Sequence, residues 1–223
     1  MLRNVKKEIT PYGGFSDIKE YLKTRYSGDG VIVNPGKSLV IEESSMEQIS
    51  GKRVNNCSIV SISKVIDYYR KIKGCRYIAD DIKRIYQTVE NYGCIYGYSD
   101  EKGTFPTKIN NITKDTLSFY GYKSKCNGCY TWSFEKTVKR EIDKERPVMM
   151  SLLRGFYRDH TITVSGYSIW KVNDRVLPIL KVIDGWRAGC HYIDFIAFEE
   201  DLINAGIGSF NITKVYDQNG CLI

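Results

Sequence analysis

The sequence predicts an α+β fold, with helices in the first two thirds and an antiparallel sheet in the last third. Apolar residues recur at helical spacing over 55–70, 77–92 and 107–120. After Pro147 the period changes to short strand-like runs, VMMSLL, HTITVSGYSIW, VLPILKVIDGW, HYIDFIAF and FNITKVY. Turn clusters such as VNDR and RAGC separate these runs, with no helical crossover pattern between them, so neighbouring strands are expected to pair antiparallel.

Residues 1–50 read as an N-terminal extension with a short helix at 16–25, a turn at SGDG, a strand at 31–33 and a helical turn at 44–49. The best-marked element is 55–70, NNCSIVSISKVIDYYR, with Ile59, Ile62, Val65, Ile66 and Tyr69 on one face and Gly74 beyond its end. Asn55 and Asn56 stand where side-chain amides can cap a first turn. A second helix is expected at 77–92, then a long Gly-rich loop, GCIYGYSDEKGTFP, of the kind that often carries function. The third helix, at 107–120, has Pro106 before it and Gly121 after it, and a fourth starts at Ser133 and closes on Pro147. The expected organisation is one domain over 1–223, with 51–145 mainly helical and 146–223 mainly antiparallel strands.

Composition narrows the function classes. Hydrophobic residues at 42% and charged ones at 26% exclude disordered and fibrous chains. The net charge of +7 comes from 33 basic residues interleaved with 26 acidic ones, without a like-charge run. That pattern reads as a solvated surface, and no nucleic-acid partner is expected. No apolar stretch approaches the ~18 residues that span a bilayer, so a soluble chain without a membrane span is expected. Seven cysteines and an N-terminus without an apolar leader region read as a reduced, cytoplasmic chain as given; a removed leader would make secretion and disulfides the expectation instead. Oligomeric state is not legible.

Cys57 falls at a helix start, where the positive end of the dipole favours the nucleophilic thiolate; alone, it reads more readily as a small buried apolar residue, and only partners elsewhere in the chain change that. A base must come from the only two histidines. His160 opens a strand directly after the loop RGFYRD and so stands where a strand end can face a cleft, whereas His191 reads as an ordinary strand histidine. Asp184 ends the apolar run LKVID before a Gly-Trp turn, where a carboxylate needs a partner. Were its strand beside that of His160, its carboxylate could accept the imidazole N–H and fix the tautomer.

The order of a cysteine at a helix start, then RPVMMSLL, HTITVSGY and VIDGW, resembles the papain-fold cysteine peptidases, and most closely the bacteriocin-leader-processing branch. The resemblance spans 54–198 and is carried by the His-x-x-x-Val-x-Gly-Tyr strand and the Asp-Gly turn together. It implies a papain-like fold, a peptide or protein substrate, Cys57 as nucleophile, His160 as general acid and base, and Asp184 as orienter, with no cofactor. Two positions depart from the pattern. Ser58 follows the cysteine where Gly is usual, and Gly51 stands where an upstream Gln donates to the oxyanion. Gln48, Asn55 and Asn56 are the remaining amides, with Gln48 the first choice. The same residues serve two alternatives, acyl transfer to an amine acceptor and peptide binding without turnover.

Cys126-Asn127-Gly128-Cys129 invites a zinc or redox reading. Zinc would need Cys75, Cys94 or His191 to converge from afar, so the expectation is an Asn-Gly turn with two incidental thiols and no metal. Phosphate-loop, dinucleotide, HExxH and EF-hand patterns are absent from the sequence.

Overall fold

In the computed structural model, which describes residues 12–130, 133–201 and 208–223, the helix expected at 55–70 forms as Cys57–Lys71. The N-terminal residues 1–11, read above as lacking an apolar leader, lie outside the described residues. The helices are α1 (Ile18–Tyr26), α2 (Met46–Ser50), α3 (Cys57–Lys71), α4 (Ile82–Ile95), α5 (Ile109–Phe119), α6 (Arg140–Asp143) and α7 (Phe195–Glu200). The strands are β1 (Gly13–Phe15), β2 (Val31–Ser38), β3 (Lys123–Cys129), β4 (Val148–Leu152), β5 (His160–Val172), β6 (Arg175–Ile183), β7 (His191–Asp194) and β8 (Ser209–Tyr216).

The eight strands among the described residues form one sheet with antiparallel pairings, in the order β1-β7-β6-β5-β4-β8-β3, with β2 on the second half of β5. The α+β class is as expected. Its segregation along the chain is less clean, because β1 and β2 come from the extension and β3 from the helical half. β5 is the pivot. Its first residues pair with β4, from Val148↔Val164 to Leu152↔His160, and its later ones with β2 and β6. Pro178 is tolerated in β6 because β7 pairs only with Ile179 to Val182, which leaves a free edge at the proline.

α3 is buried on nearly every side, between the sheet at β5 and helices α4 and α5. The apolar face read from the sequence is therefore only part of its packing. The other side buries Ser58, Ser61, Ser63, Lys64 and Asp67, each with a hydrogen-bond or ion-pair partner. One main cluster gathers the α3, α4, α5 and sheet residues. A smaller one, Tyr21, Leu22, Trp170, Val172, Leu177 and Ile179, lies under α1.

Four expectations are corrected. The turn expected at Asn127-Gly128 is absent: both residues continue β3 and pair with β8, so Cys126 and Cys129, three apart on a strand, point to opposite faces and cannot share an ion or a disulfide. Among the described residues no His, Cys, Asp and Glu cluster could hold a metal. HYIDFIAF is half strand, because Asp194 accepts from the amides of Ile196 and Ala197 and starts α7. The helix from Ser133 begins as a π-helical stretch, Phe134–Lys139. β2 runs past Val33 to Ser38, with Gly36 at φ +64; a Cβ there would lie 2.0 Å from the Tyr167 carbonyl oxygen.

Candidate active site

The first turn of α3 carries no side-chain cap, contrary to the expectation for the asparagines. Asn56 is buried and donates to the Tyr86 hydroxyl at 3.2 Å, while the Asn55 amide donates to the Glu101 carbonyl at 2.6 Å. The helix start therefore presents its free amides and the half-buried Cys57 to a cleft of about 610 Å3. One wall is the loop predicted from GCIYGYSDEKGTFP, which contributes Lys102 to Pro106. It is pinned to the helix start by Asn55 N–H to the Asp100 carbonyl at 3.1 Å. Leu152, Leu153, Arg158, Asp159 and Trp186 also line the cleft.

His160 is the first residue of β5 and meets Cys57 across the floor of this cleft. Asp159 just before it is held at φ +50, a left-handed conformation rare for a residue with a side chain and frequent at functional sites. Thr161 knots the two halves together. Its backbone N–H donates to Cys57 Sγ at 3.4 Å, its carbonyl accepts from Ser61 Oγ at 3.1 Å, and its hydroxyl meets Ser58 Oγ at 2.8 Å and Ser151 Oγ at 3.1 Å. Ser58 thus has a structural use that glycine could not fill. Thr161→Val should lower stability by about 1–3 kcal/mol, since two buried hydroxyls lose a shared partner. Calorimetry should register this as a melting temperature several degrees lower.

The structure brings Asp184 to His160, but through a different atom from the one expected. His160 Nε2 lies 2.7 Å from the Asp184 backbone carbonyl oxygen. A carbonyl only accepts, so Nε2 carries the hydrogen and Nδ1 is left for the thiol. The Asp184 carboxylate accepts instead from Trp186 N–H at 3.0 Å and sits 3.0 Å from His191 Nδ1. The latter contact lies off the N–H axis, so it is not a well-aligned hydrogen bond, and it is an ion pair when His191 is protonated. The Trp186 ring tilts over His160 at 4.5 Å between centroids, with Tyr157 lying parallel to His160 at 6.1 Å.

These contacts set the charges. Burial pushes the Cys57 thiol up, but the hydrogen bond and charge of His160 outweigh it and hold the thiol below its ordinary value. Burial pushes His160 down, and Cys57 together with the carbonyl and carboxylate of Asp184 lifts it above its ordinary value. Asp184 is raised by burial and brought net below the usual carboxylate value, chiefly by His191.

Of the expected amides, Asn55 lines the cleft and keeps a second N–H beyond the one given to Glu101. Gln48 does not line it: its oxygen accepts from Ser45 N–H at 2.8 Å in the capping box of α2. The serine three residues before a glutamine was the signal for that role. His191 reads from the sequence as a strand histidine, and only the tertiary pairing of β6 with β7, Val182↔His191, places it beside Asp184. Among the described residues no helix is long and apolar enough to cross a membrane.

The crystal structure of the Pseudomonas avirulence protein AvrPphB is similar to this chain at 11% identity and a TM-score of 0.35, covering 78% of this chain and 96% of that one. Among curated proteins, none matches. Residues 40–194, well over half of the chain, match the Peptidase_C39 like family, with the cysteine-bearing helix start, the HTITVSGY strand and the Asp-Gly turn inside the match, and the chain belongs to that family.

Proposed function

We propose that the chain is a papain-like cysteine peptidase that hydrolyses a peptide or other amide bond through Cys57, His160 and Asp184 and a thioester intermediate. The observation that carries this reading is the contact of a lowered thiol with a raised imidazole on the floor of an open cleft. The two shifts run toward each other, and each group favours the charged form of the other, which is the thiolate and imidazolium pair the mechanism uses.

The thiolate adds to the amide carbonyl carbon, and the carbonyl π electrons move to oxygen. The backbone N–H of Cys57 and the Asn55 side chain are the donors for that oxyanion, each typically worth ~3 kcal/mol. Collapse breaks the C–N bond as His160 Nδ1 delivers its proton to the leaving amine. His160 then takes a proton from water, whose oxygen attacks the thioester and releases the acid and Cys57. Trp186, 43% exposed, shields the imidazole and its carbonyl acceptor from solvent on the cleft side.

Iodoacetamide tests the activated thiol without any substrate. An ordinary thiol is roughly 0.3% ionised at pH 6. Cys57 should alkylate at least about tenfold faster than the exposed Cys94 and Cys221 at that pH, read by site-resolved mass spectrometry. Equal rates at the three sites would remove the peptidase reading.

A further inference from the structure

The sequence suggests a carboxylate behind His160, yet the atom on Nε2 is a main-chain carbonyl. A backbone acceptor is only as well placed as the turn that carries it. The 184–186 turn has few ties of its own: Gly185 at φ +75, its carbonyl accepting from Met46 N–H at 2.7 Å, and the Asp184 carboxylate on Trp186 N–H. The second oxygen of that buried carboxylate faces His191, which reaches across from β7.

We propose that His191 is a positioning residue, which anchors the Asp184 side chain so that the Asp184 carbonyl stays on His160 Nε2. This rests on the peptidase reading for its consequence in catalysis, and on the contacts alone for its geometry. His191 does not line the cleft, so it acts only through Asp184.

The charged groups around the pair agree with this role. Asp184 raises His191, and Arg187 opposes it. On the other side Asp184 faces His160 and, from α3, the buried Lys64, which burial pushes down to about 8 and whose Nζ donates to the Ser44 carbonyl at 2.7 Å. Lys64 also faces Glu42 and Glu43, and Tyr157 packs near Asp184. Lys64 is tied to Ser44, and Trp186 offers only a neutral amide. His191 is therefore the titratable side chain in direct contact with the carboxylate, a cation whenever it is protonated.

With only two histidines in the chain, His191→Gln leaves His160 as the sole imidazole, so long-range 1H–15N NMR reads it without ambiguity. In His191→Gln the His160 titration midpoint should fall by about one pH unit, and its Nε2–H should leave its hydrogen-bonded position. Cys57 alkylation at pH 6 should slow about tenfold. The Asp184→Asn/His191→Gln double variant should lose no more than Asp184→Asn alone, because one residue acts through the other. Should His191→Gln not fold, Asp184→Asn still decides the coupling: the His191 midpoint must drop there toward its ordinary value. An unmoved His160 midpoint in His191→Gln, an unmoved His191 midpoint in Asp184→Asn, or additive losses overturn the proposal. An inert Cys57 in the unmutated chain would instead sink the peptidase reading, and the NMR midpoints would still decide this one.

Discussion

Cys57→Ala should lower turnover of a scanned peptide library by about 10^4-fold or more and abolish labelling by a peptidyl electrophile, and His160→Ala should do the same. On the proposed mechanism the size follows from the division of labour: without the sulfur no thioester can form, and without the imidazole the half-buried thiol has nothing to take its proton. Because the two groups act as one unit, the double variant should be no slower than either single one. Near-UV circular dichroism controls for the fold. Undiminished turnover in Cys57→Ala would place the chemistry elsewhere.

Arg146→Met should cost about 3–5 kcal/mol of stability, which for a chain of this length lowers the melting temperature by about 10 °C. Arg146 is 4% exposed and its Nε and Nη2 lie 2.7 and 2.6 Å from one carboxylate oxygen of Glu141, itself 1% exposed. The other oxygen is held by Arg140 at 2.8 Å. Removing one partner strands a charge in the interior, whereas Glu141→Gln/Arg146→Met should recover part of the loss. The pH dependence has a defined sign. Burial raises Glu141, but the two arginines bring it net below its ordinary 4.5, so its contribution is full above about pH 4.5 and fades as the pH falls through the folded value. In Arg146→Met only Arg140 remains to lower Glu141, so its folded value moves up and less stability is lost on acidification; the deficit should shrink in acid, as chemical denaturation at pH 7 and pH 4 would show.

The sequence was most legible where periodicity and chemistry coincide. α3 and the strands through HTITVSGY and VIDGW carry enough apolar periodicity to be placed within a few residues; the first two bear Cys57 and His160, and Asp184 follows directly on the end of the third. Most of what failed depended on long-range pairing: KSKCNGC looks like a turn until β8 supplies its hydrogen bonds. Gln48 is the local exception, claimed by the capping box with Ser45 three residues before it. No local pattern tells whether an aspartate uses its side chain or its carbonyl toward a histidine, and none places His191 across a strand pair from Asp184. Ser58 reads as a departure from the family pattern and is explained only by the threonine it meets on β5.

The thiol belongs to a helix and the imidazole to a strand that begins about a hundred residues later, with the Thr161 knot riveting one to the other. Neither half owns a working centre. On the proposed function, a chain that keeps its helices and its sheet but lets them slide apart should already be inert, so loss of chemistry on warming or in mild denaturant should report slippage between layers ahead of any melting within them.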